Sequence, residues 1–393
     1  MKDKRNIMLL TLGMLAFLTN GDNYAAAPLL LNISRDLGLE MQQAALSVTA
    51  YMLSFGFFTL IFGPLSDRFG KVKIIRIAAF GTAVFSIIGG FAFNLPSLIV
   101  FRSFNGAFGA GIFPVTMALV GQSYNDRERQ GALGKVMGLM FLGGATATAL
   151  GGIISYFGSW RLVYIIYGIG ELVIAFLILK ILEKDKGVVE KLNFIKAYRT
   201  PLSNYRFMRL VLVIFFVGFT VFGSFTYSGK LLQSLTGFTV LKVGLILSFF
   251  GLGTVFGGRI APIARGLLKH GFLVTAGILG FAGLYALSAL NNVYLLSMAL
   301  FGFGIAFIFL QSTLVATAQA KLPTMRGTAM SLASFNMFVG GAVGTAVNGR
   351  IMAAGSIDSI FFYASFIIFV VGIIAAVFIA RFEMRQRKAK QQE

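Results

Sequence analysis

The sequence predicts an all-α membrane protein whose twelve transmembrane helices form two six-helix, pseudo-symmetric bundles. Of its 393 residues, 57% are hydrophobic and only 12% are charged, with a mean hydropathy of +0.83. A soluble domain carries roughly 25% charged residues. Continuous apolar runs of about 20 residues, long enough to cross a bilayer, recur along the chain. Because these runs do not alternate between apolar and polar residues, we expect helices and not barrel strands.

Twelve spans can be delimited, and lysine and arginine orient them. Of these basic residues, 27 fall on the side of the N-terminus and five on the other, so the positive-inside rule places both termini in the cytoplasm. The net charge of +20 therefore reflects topology and does not indicate a nucleic-acid partner. The predicted spans are 6–32, 43–66, 72–93, 96–121, 132–157, 161–181, 207–233, 240–264, 270–290, 293–319, 326–352 and 358–381.

An internal repeat separates the spans into two sets of six. The stretch FLGGATATALGGII begins at Phe141, and FVGGAVGTAVNGRI begins 197 residues later, at Phe338. The longest charged stretch lies between the two sets. We therefore predict an N-terminal bundle over 1–181, a cytoplasmic linker over 182–206, and a C-terminal bundle with a basic tail over 207–393.

Composition excludes several functional classes. The chain has no cysteine, and its one histidine, His270, lies beside a lysine in a predicted loop, so we expect no metal site and no cofactor. A phosphate-binding G-x-x-x-x-G-K-[ST] loop is missing, so energy must come from an ion gradient, or transport is facilitated diffusion. We expect protons, with Na⁺ as the alternative. An enzyme is not expected, because Asp22 and Glu171 lie on the first and sixth spans, which should not adjoin.

The loop after the second span carries GPLSDRFGKVK, from Gly63 to Lys73. It resembles the G-x-L-x-D-R-x-G-R/K-R/K signature of the major facilitator superfamily. The resemblance implies the major facilitator fold and a latch in which Asp67 faces the positive end of the eleventh span, stabilising the outward-facing state. In the alternative reading, these residues are solvated loop charges. The latch residues would be Gly63, Asp67, Arg68, Gly70 and Lys71.

Two further elements resemble the twelve-helix drug/proton antiporters. The fourth span carries RSFNGAFGAG from Arg102, similar to R-x-x-q-G-x-x-x-G with Asn105 in place of glutamine. The fifth span should carry G-P-x-x-G-G, but Ala147 and Thr148 stand where the glycine and proline belong. The glycines of this span that we assign to the element are Gly143, Gly144, Gly151 and Gly152.

Deep ionisable residues are the candidate proton-coupling site. A charged side chain at mid-bilayer costs from about 3 kcal/mol upward, so it normally faces a cavity or pairs with another charge. Asp22 lies about 15 Å, and Arg102 about 9 Å, below the same membrane surface, at roughly 1.5 Å per residue. We expect them to pair, with a cationic substrate competing with a proton for Asp22. The alternatives are a permanent salt bridge, or a partly exposed residue near the outer rim. Glu171 has a proton or substrate role, a buried structural role or a lipid-side location.

Polar and aromatic residues of the predicted cavity-lining spans are the candidate substrate contacts. Aromatic side chains suit bulky amphipathic molecules and attract cations through their ring faces. The predicted cavity residues are Asn20, Asn23, Tyr24, Asn105, Phe222, Tyr227 and Gln311.

These features favour a proton-coupled exporter of drug-like or amphipathic small molecules in the cell (cytoplasmic) membrane, working by alternating access. An endogenous metabolite, such as a sugar, amino-acid derivative or siderophore, is the alternative cargo. A non-transporting membrane sensor or assembly protein is the alternative of another class. We expect a monomer whose partners are a small-molecule substrate, protons and the lipid bilayer.

Overall fold

The computed structural model describes residues 2–124, 126–185, 194–322 and 325–390, and the regular elements in these ranges are helices. A 3₁₀ turn, Lys269–Gly271, precedes α11. The helices are α1 (Lys2–Asp36), α2 (Met41–Phe69), α3 (Lys71–Gly89), α4 (Leu95–Gly109), α5 (Phe113–Ser123), α6 (Asp126–Phe157), α7 (Trp160–Ile181), α8 (Phe194–Ser203), α9 (Tyr205–Thr236), α10 (Val240–Leu268), α11 (Phe272–Ala289), α12 (Val293–Lys321), α13 (Arg326–Ala354) and α14 (Ile357–Lys390).

Within the described ranges, 11 helices are long and apolar enough to cross a membrane, with α4 and α5 together forming one of them. The first helix, α1, is 35 residues long but falls outside this set. Its middle carries Asn20, Asp22 and Asn23, which lower its hydropathy. The polar residues that make α1 a poor lipid-facing helix are the same ones that the sequence assigns to function.

The fourth predicted span is interrupted, whereas the sequence predicted one continuous helix over 96–121. It is divided into α4 and α5 by residues 110–112. Pro114, in the first turn of α5, has no backbone N–H with which to continue the hydrogen-bond ladder of α4. The break therefore follows from this proline and places a short irregular segment in the middle of the molecule.

The helices pack as two bundles. In the first bundle α1 lies against α6 and α7, α2 packs on α4, and α3 lies between α4 and α7. In the second, α9 lies against α13 and α14, while α12 packs between α10 and α11. The two bundles meet chiefly where α2 contacts α13 and where α6 contacts α10.

The internal repeat is visible in the packing. A Cβ built on Gly143 would lie 2.1 Å from the carbonyl oxygen of Phe17, so α6 and α1 can touch only because this residue is glycine. A Cβ on Gly340, the equivalent residue of the second repeat, would lie 2.1 Å from the carbonyl oxygen of Phe215. The same close approach thus recurs between α13 and α9.

Contacts between chain segments define the two ends of the molecule. The Tyr124 hydroxyl donates to the Arg5 carbonyl (3.0 Å), and Lys321 Nζ donates to the Arg206 carbonyl (3.1 Å). These contacts join the start of α1 to the end of α5, and the start of α9 to the end of α12. We call this end, where α1 begins and α14 ends, the terminal side.

The end of α1 contacts the start of α7 on the opposite side. The Asp36 carboxylate forms an ion pair with Arg161 and accepts a hydrogen bond from Trp160 Nε1 (3.1 Å). The hydrogen bond from Arg161 lowers the pKa of the Asp36 carboxyl. Arg161 also donates to the Ala92 carbonyl (3.0 Å), which joins the end of α3 to the same corner.

The predicted linker contains a helix, α8. The hydroxyl of Tyr198, in α8, donates to the carbonyl of Leu60 in α2 (2.7 Å). The described part of the linker is therefore attached to the N-terminal bundle on the terminal side.

The bundles touch on the side opposite the termini. A Cβ on Gly229 of α9 would lie 2.5 Å from the Ala27 carbonyl oxygen of α1. A Cβ on Gly349 of α13 would lie 3.4 Å from Cβ of Gln42. The halves are thus in close contact on this side.

The α6–α10 contact generates a test of this closed arrangement. A Cβ on Gly251 would lie 2.0 Å from the Ala145 Cα, so Gly251→Val must push the two bundles apart. Because overpacking costs about 1–3 kcal/mol, we expect the thermal unfolding midpoint in detergent to fall by at least about 2 °C.

Gly266→Val, in the same helix, is the matched control, since a Cβ there would meet no atom within 4 Å. Equal midpoints for the two variants would show that this packing between the bundles is wrong.

Candidate functional site

A cavity of about 850 Å³, counting space continuous with solvent, lies between the two bundles. Its α1 residues run from Ala16 to Tyr24 and precede the bundle contact at Ala27, so the cavity lies on the terminal side of that contact. Residues of both bundles line it: Ala16, Thr19, Asn20, Asn23, Tyr24, Tyr51, Phe55, Gly109, Ile112, Phe113, Pro114, Met140, Phe141, Phe222, Phe307, Gln311, Val315, Met330, Ala333, Ser334, Met337 and Phe338.

The structure places most of the predicted cavity residues on this wall. Those that line the cavity are Asn20, Asn23, Tyr24, Phe222 and Gln311. Asn105 and Tyr227 lie inside the bundles, where hydrogen bonds to neighbouring helices hold them. Asn105 Nδ2 donates to the Thr82 carbonyl and hydroxyl oxygens, both at 3.1 Å, and Tyr227 donates to the Thr345 carbonyl (2.9 Å).

Aromatic rings from both bundles meet at the cavity. The Phe55 and Phe338 rings stack with centroids 4.0 Å apart, and Tyr24 meets Phe222 edge to face at 6.1 Å. A smaller cavity of about 280 Å³ is lined by Tyr24, Phe222, Phe225 and neighbouring residues. Tyr24 and Phe222 belong to both walls, so this ring pair lies between the two spaces.

Asp22 and Arg102 form a buried ion pair. Arg102 Nη1 lies 3.3 Å from each carboxylate oxygen of Asp22, and both side chains are only 1% exposed. The same nitrogen donates to Asn105 Oδ1 (3.1 Å). The structure thus brings together the two residues whose depths suggested pairing. Neither residue lines the cavity, so the expected competition between a cationic substrate and a proton has no shared site in this state.

A tyrosine separates this ion pair from the cavity. The Arg102 guanidinium carbon lies 4.5 Å from the centroid of the Tyr51 ring and 4.9 Å from that of Tyr164. Tyr51 lines the cavity, whereas Tyr164 does not. The charged groups are therefore behind a wall one side chain thick. The adjacent aromatic faces stabilise the guanidinium.

Glu171 lies beside the same pair, which corrects the expectation that the first and sixth spans do not adjoin. Its carboxyl is fully buried and interacts electrostatically with Asp22 and Arg102, near the hydroxyls of Thr19 and Thr82. Its two oxygens have no partner of hydrogen-bond geometry among the described residues. We call Asp22, Arg102 and Glu171 the charge cluster.

Small residues explain why α1 and α7 adjoin. A Cβ on Gly21 of α1 would lie 2.7 Å from Cε1 of Tyr167 in α7. A Cβ on Gly170 of α7 would lie 3.3 Å from Cδ1 of Leu18 in α1. A glycine on each helix thus allows the two helices to approach closely. The spacing of these glycines along the sequence does not show that they lie at the same contact.

The charge cluster has spare hydrogen-bonding capacity. Arg102 Nε and Nη2, and the hydroxyls of Tyr164 and Tyr167, have no hydrogen-bond partner among the described residues. Buried polar groups are usually paired, so groups like these indicate a site that takes up water or protons or rearranges. With two carboxyl groups and one guanidinium, the cluster has the composition needed to hold a proton.

The signature loop forms contacts different from the predicted latch. Asp67 Oδ1 lies 3.3 Å from Lys71 Nζ, four residues on, and Asp67 is 54% exposed. Arg68 lies over the Phe69 ring at 5.0 Å. Gly63 approaches α13, since a Cβ there would lie 3.1 Å from Ser331 Oγ. Among the described contacts, then, Asp67 pairs within its own loop.

A different acid, Asp185, caps the helix that follows this loop. Its carboxylate accepts hydrogen bonds from the backbone N–H groups of Lys71 (2.7 Å) and Val72 (2.9 Å), at the positive end of α3. Gly70 has φ 93°, and a Cβ there would lie 2.8 Å from Asp185 Oδ1. Sequence reasoning missed Asp185 because it lies beyond α7, far along the chain from the loop.

The glycine element of α6 has two roles. Gly143, Gly144 and Gly151 face α1, where Cβ atoms would lie 2.1 Å from Phe17 O, 2.7 Å from Asn20 Nδ2 and 3.3 Å from Ala25 Cβ. Gly152 faces the other bundle, where a Cβ would lie 2.7 Å from the Val240 carbonyl oxygen of α10. The element thus joins α1 to α6 and brings α6 against the second half.

Known proteins resemble this chain, two of them over most of its length. YceJ of Bacillus subtilis, an uncharacterized MFS-type transporter, is 24% identical over 344 residues, covering 85% of this chain and 86% of that protein. A bicyclomycin resistance protein homolog of Haemophilus influenzae is 25% identical over 376 residues, 90% of each chain. The puromycin resistance protein pur8 of Streptomyces alboniger is 30% identical over 131 residues, 33% of this chain and 26% of that protein.

Solved transporter structures share the fold. A bacterial homolog of the human lysosomal transporter Spinster, in an inward-facing and unoccupied conformation, matches with a TM-score of 0.76, 17% identity and 96% coverage of each chain. The nucleoside transporter NupG matches with a TM-score of 0.78 and 12% identity, covering 94% of this chain and 99% of that one.

The sequence profile of the Major Facilitator Superfamily matches residues 12–345, which is most of the chain. The fold, the cavity between two bundles and this match lead to one conclusion. The chain belongs to the Major Facilitator Superfamily, and it is a multi-pass membrane protein and secondary transporter, not an enzyme.

Proposed function

We propose that this protein is a proton-coupled exporter of drug-like or amphipathic small molecules that works by alternating access. The observation that carries the proposal is the charge cluster, in which Asp22 is ion-paired with Arg102 and a second buried carboxyl group, that of Glu171, lies beside the pair near the cavity wall. The cluster supplies the ionisable groups, and the cavity between the bundles supplies the cargo site.

Charge balance in the cluster favours one bound proton in this state. Asp22 is paired with Arg102, and a second ionised carboxylate would leave the sealed space with a net negative charge. Burying an uncompensated charge costs several kcal/mol. Glu171, whose oxygens have no hydrogen-bond partner among the described residues, is the group that carries the proton. Exposing the cluster to water during tilting of the bundles would release it.

Helix α1 connects the proton site to the cargo site. Asp22 faces α4, while Asn20 and Asn23 of the same helix line the cavity. Thr19 belongs to both surroundings, since it lines the cavity and lies near Glu171. A movement of α1 that accommodates cargo therefore also changes the geometry around Asp22. This shared helix is the structural basis that we propose for coupling.

Relatives and wall composition support an exporter of amphipathic molecules. Two relatives are named for resistance to bicyclomycin and puromycin, which are small organic antibiotics. The wall is mostly aromatic and aliphatic, with a few amide groups, as in sites for amphipathic molecules.

An endogenous metabolite is the second candidate cargo. Ala147 and Thr148 stand where the resembled antiporter element has glycine and proline, so this chain lacks one feature of the drug exporters. Such a cargo would use the same cavity and the same charge cluster.

We place the terminal side in the cytoplasm and the protein, as a monomer, in the cell membrane. The distribution of lysine and arginine supports this orientation, with 27 such residues on the side of the termini and five on the other. The cavity then lies on the cytoplasmic side of the contact between the bundles, the side from which an exporter loads its cargo.

The first test removes the acid of the ion pair. In proteoliposomes containing a pH-sensitive dye, Asp22→Asn should abolish proton movement driven by a gradient of bicyclomycin or puromycin, because Arg102 would then hold Glu171 as its ionised counter-ion and Glu171 could no longer take up the proton. Asp36→Asn, in the same helix but at the exposed end, is the matched control and should retain proton movement. Undiminished proton movement in Asp22→Asn would refute its assignment.

The second test concerns the proton on Glu171. Glu171→Gln mimics the protonated acid, so we expect the protein to fold and to exchange radiolabelled cargo across the membrane. Proton movement coupled to that exchange should fall at least about tenfold, because the glutamine cannot release a proton.

Glu183→Gln changes an exposed acid after α7 and is the control for the loss of a carboxyl group. The proposed proton site fails if Glu171→Gln moves protons at the rate of this control.

A further inference from the structure

The wall of the large cavity is uncharged. The described residues that line it include no lysine, arginine, histidine, aspartate or glutamate. The charge cluster lies behind Tyr51, and Asp22 is already paired with Arg102 at 3.3 Å. A molecule in the cavity therefore meets no carboxylate with which to form an ion pair.

The polar groups of this wall include two amides from different bundles, those of Asn23 on α1 and Gln311 on α12. Asn23 is only 7% exposed. The oxygens of both amides are enclosed and have no hydrogen-bond partner among the described residues, so they are not the atoms that a ligand meets in this state. The amides carry no charge, so they can hydrogen-bond a polar group of a ligand but cannot act as its counter-ion.

From these observations we infer the substrate class of the cavity. The cargo is an uncharged amphipathic molecule with an apolar body and polar groups that the wall amides can hydrogen-bond. The inference rests on the proposed function only in taking this cavity as the transport site. It differs from the expectation of a cationic cargo, which needed Asp22 on the cavity wall.

The aromatic rings do not reverse this preference. Ring faces such as those of Tyr24 and Phe222 attract cations. The free energy of that attraction is smaller than the desolvation cost of burying a charge without a counter-ion. Contact with the same rings stabilises the apolar parts of a neutral ligand, and a neutral ligand has no charge whose hydration is lost on entering the cavity. The polar groups of the ligand can then form hydrogen bonds with the amides of the wall.

Puromycin and N-acetylpuromycin form a suitable probe pair. They share one scaffold, but the free amine of puromycin is cationic below its pKa, whereas the acetylated form is neutral at the same pH. Binding to the detergent-solubilised protein is measured by equilibrium dialysis below that pKa, without a proton gradient. We expect N-acetylpuromycin to bind at least about tenfold more tightly than puromycin.

Substitutions then assign the effect to the cavity. Gln311→Glu puts an acid on the wall and should shift the preference toward puromycin by about tenfold or more. Gln319→Glu, on the same helix but outside the cavity lining, should leave the preference unchanged. Asn23→Leu should weaken the binding of N-acetylpuromycin, since it removes one hydrogen-bonding amide from the wall.

Three results would overturn the inference. They are equal or tighter binding of puromycin, an unchanged preference in Gln311→Glu, and no binding of N-acetylpuromycin. Because the assay has no gradient, these results leave the proton-coupling proposal standing if Asp22 still controls proton movement in proteoliposomes. Conversely, loss of coupling with the binding preference intact would overturn the proposed function alone.

Discussion

The buried ion pair between Asp22 and Arg102 is the constraint on which the N-terminal bundle depends. Two charges with 1% exposure must satisfy each other, and removing one partner of such a pair typically costs about 3–5 kcal/mol. Four helices surround the ion pair. α1 and α4 supply the charges, and the rings of Tyr51 and Tyr164, from α2 and α7, cover the guanidinium. The arrangement of these helices follows from keeping one arginine compensated.

Separation of charge from cargo is the main organisational feature of the molecule. The charge cluster occupies the interior of one bundle, and the cavity lies between the two bundles. Both are formed in part by α1, whose residues face either α4 or the second half according to their position around the helix. In the proposed mechanism, communication between proton and cargo would therefore pass through this shared helix and would need no shared binding site.

The length of the apolar runs and the internal repeat were sufficient to predict the fold, whereas the site was only partly predictable. Apolar runs gave the spans because a bilayer permits few alternatives, and similar depths gave the pairing of Asp22 with Arg102. The proximity of Glu171 and the cap from Asp185 depend on which residues face each other across helices. Asn105 and Tyr227 were assigned to the cavity by span, but their hydrogen bonds turn them inward. Helix orientation is a tertiary property, and a single sequence carries little of it.

The interruption at residues 110–112 divides one span into two helical parts. The first part carries Arg102 and Asn105, which belong to the buried charges and their hydrogen bonds. The second part begins with Phe113 and Pro114, which line the cavity. In the proposed mechanism, substitutions in the second part would therefore change which molecules fit, whereas substitutions around the arginine would change proton coupling, although both lie on one crossing of the membrane.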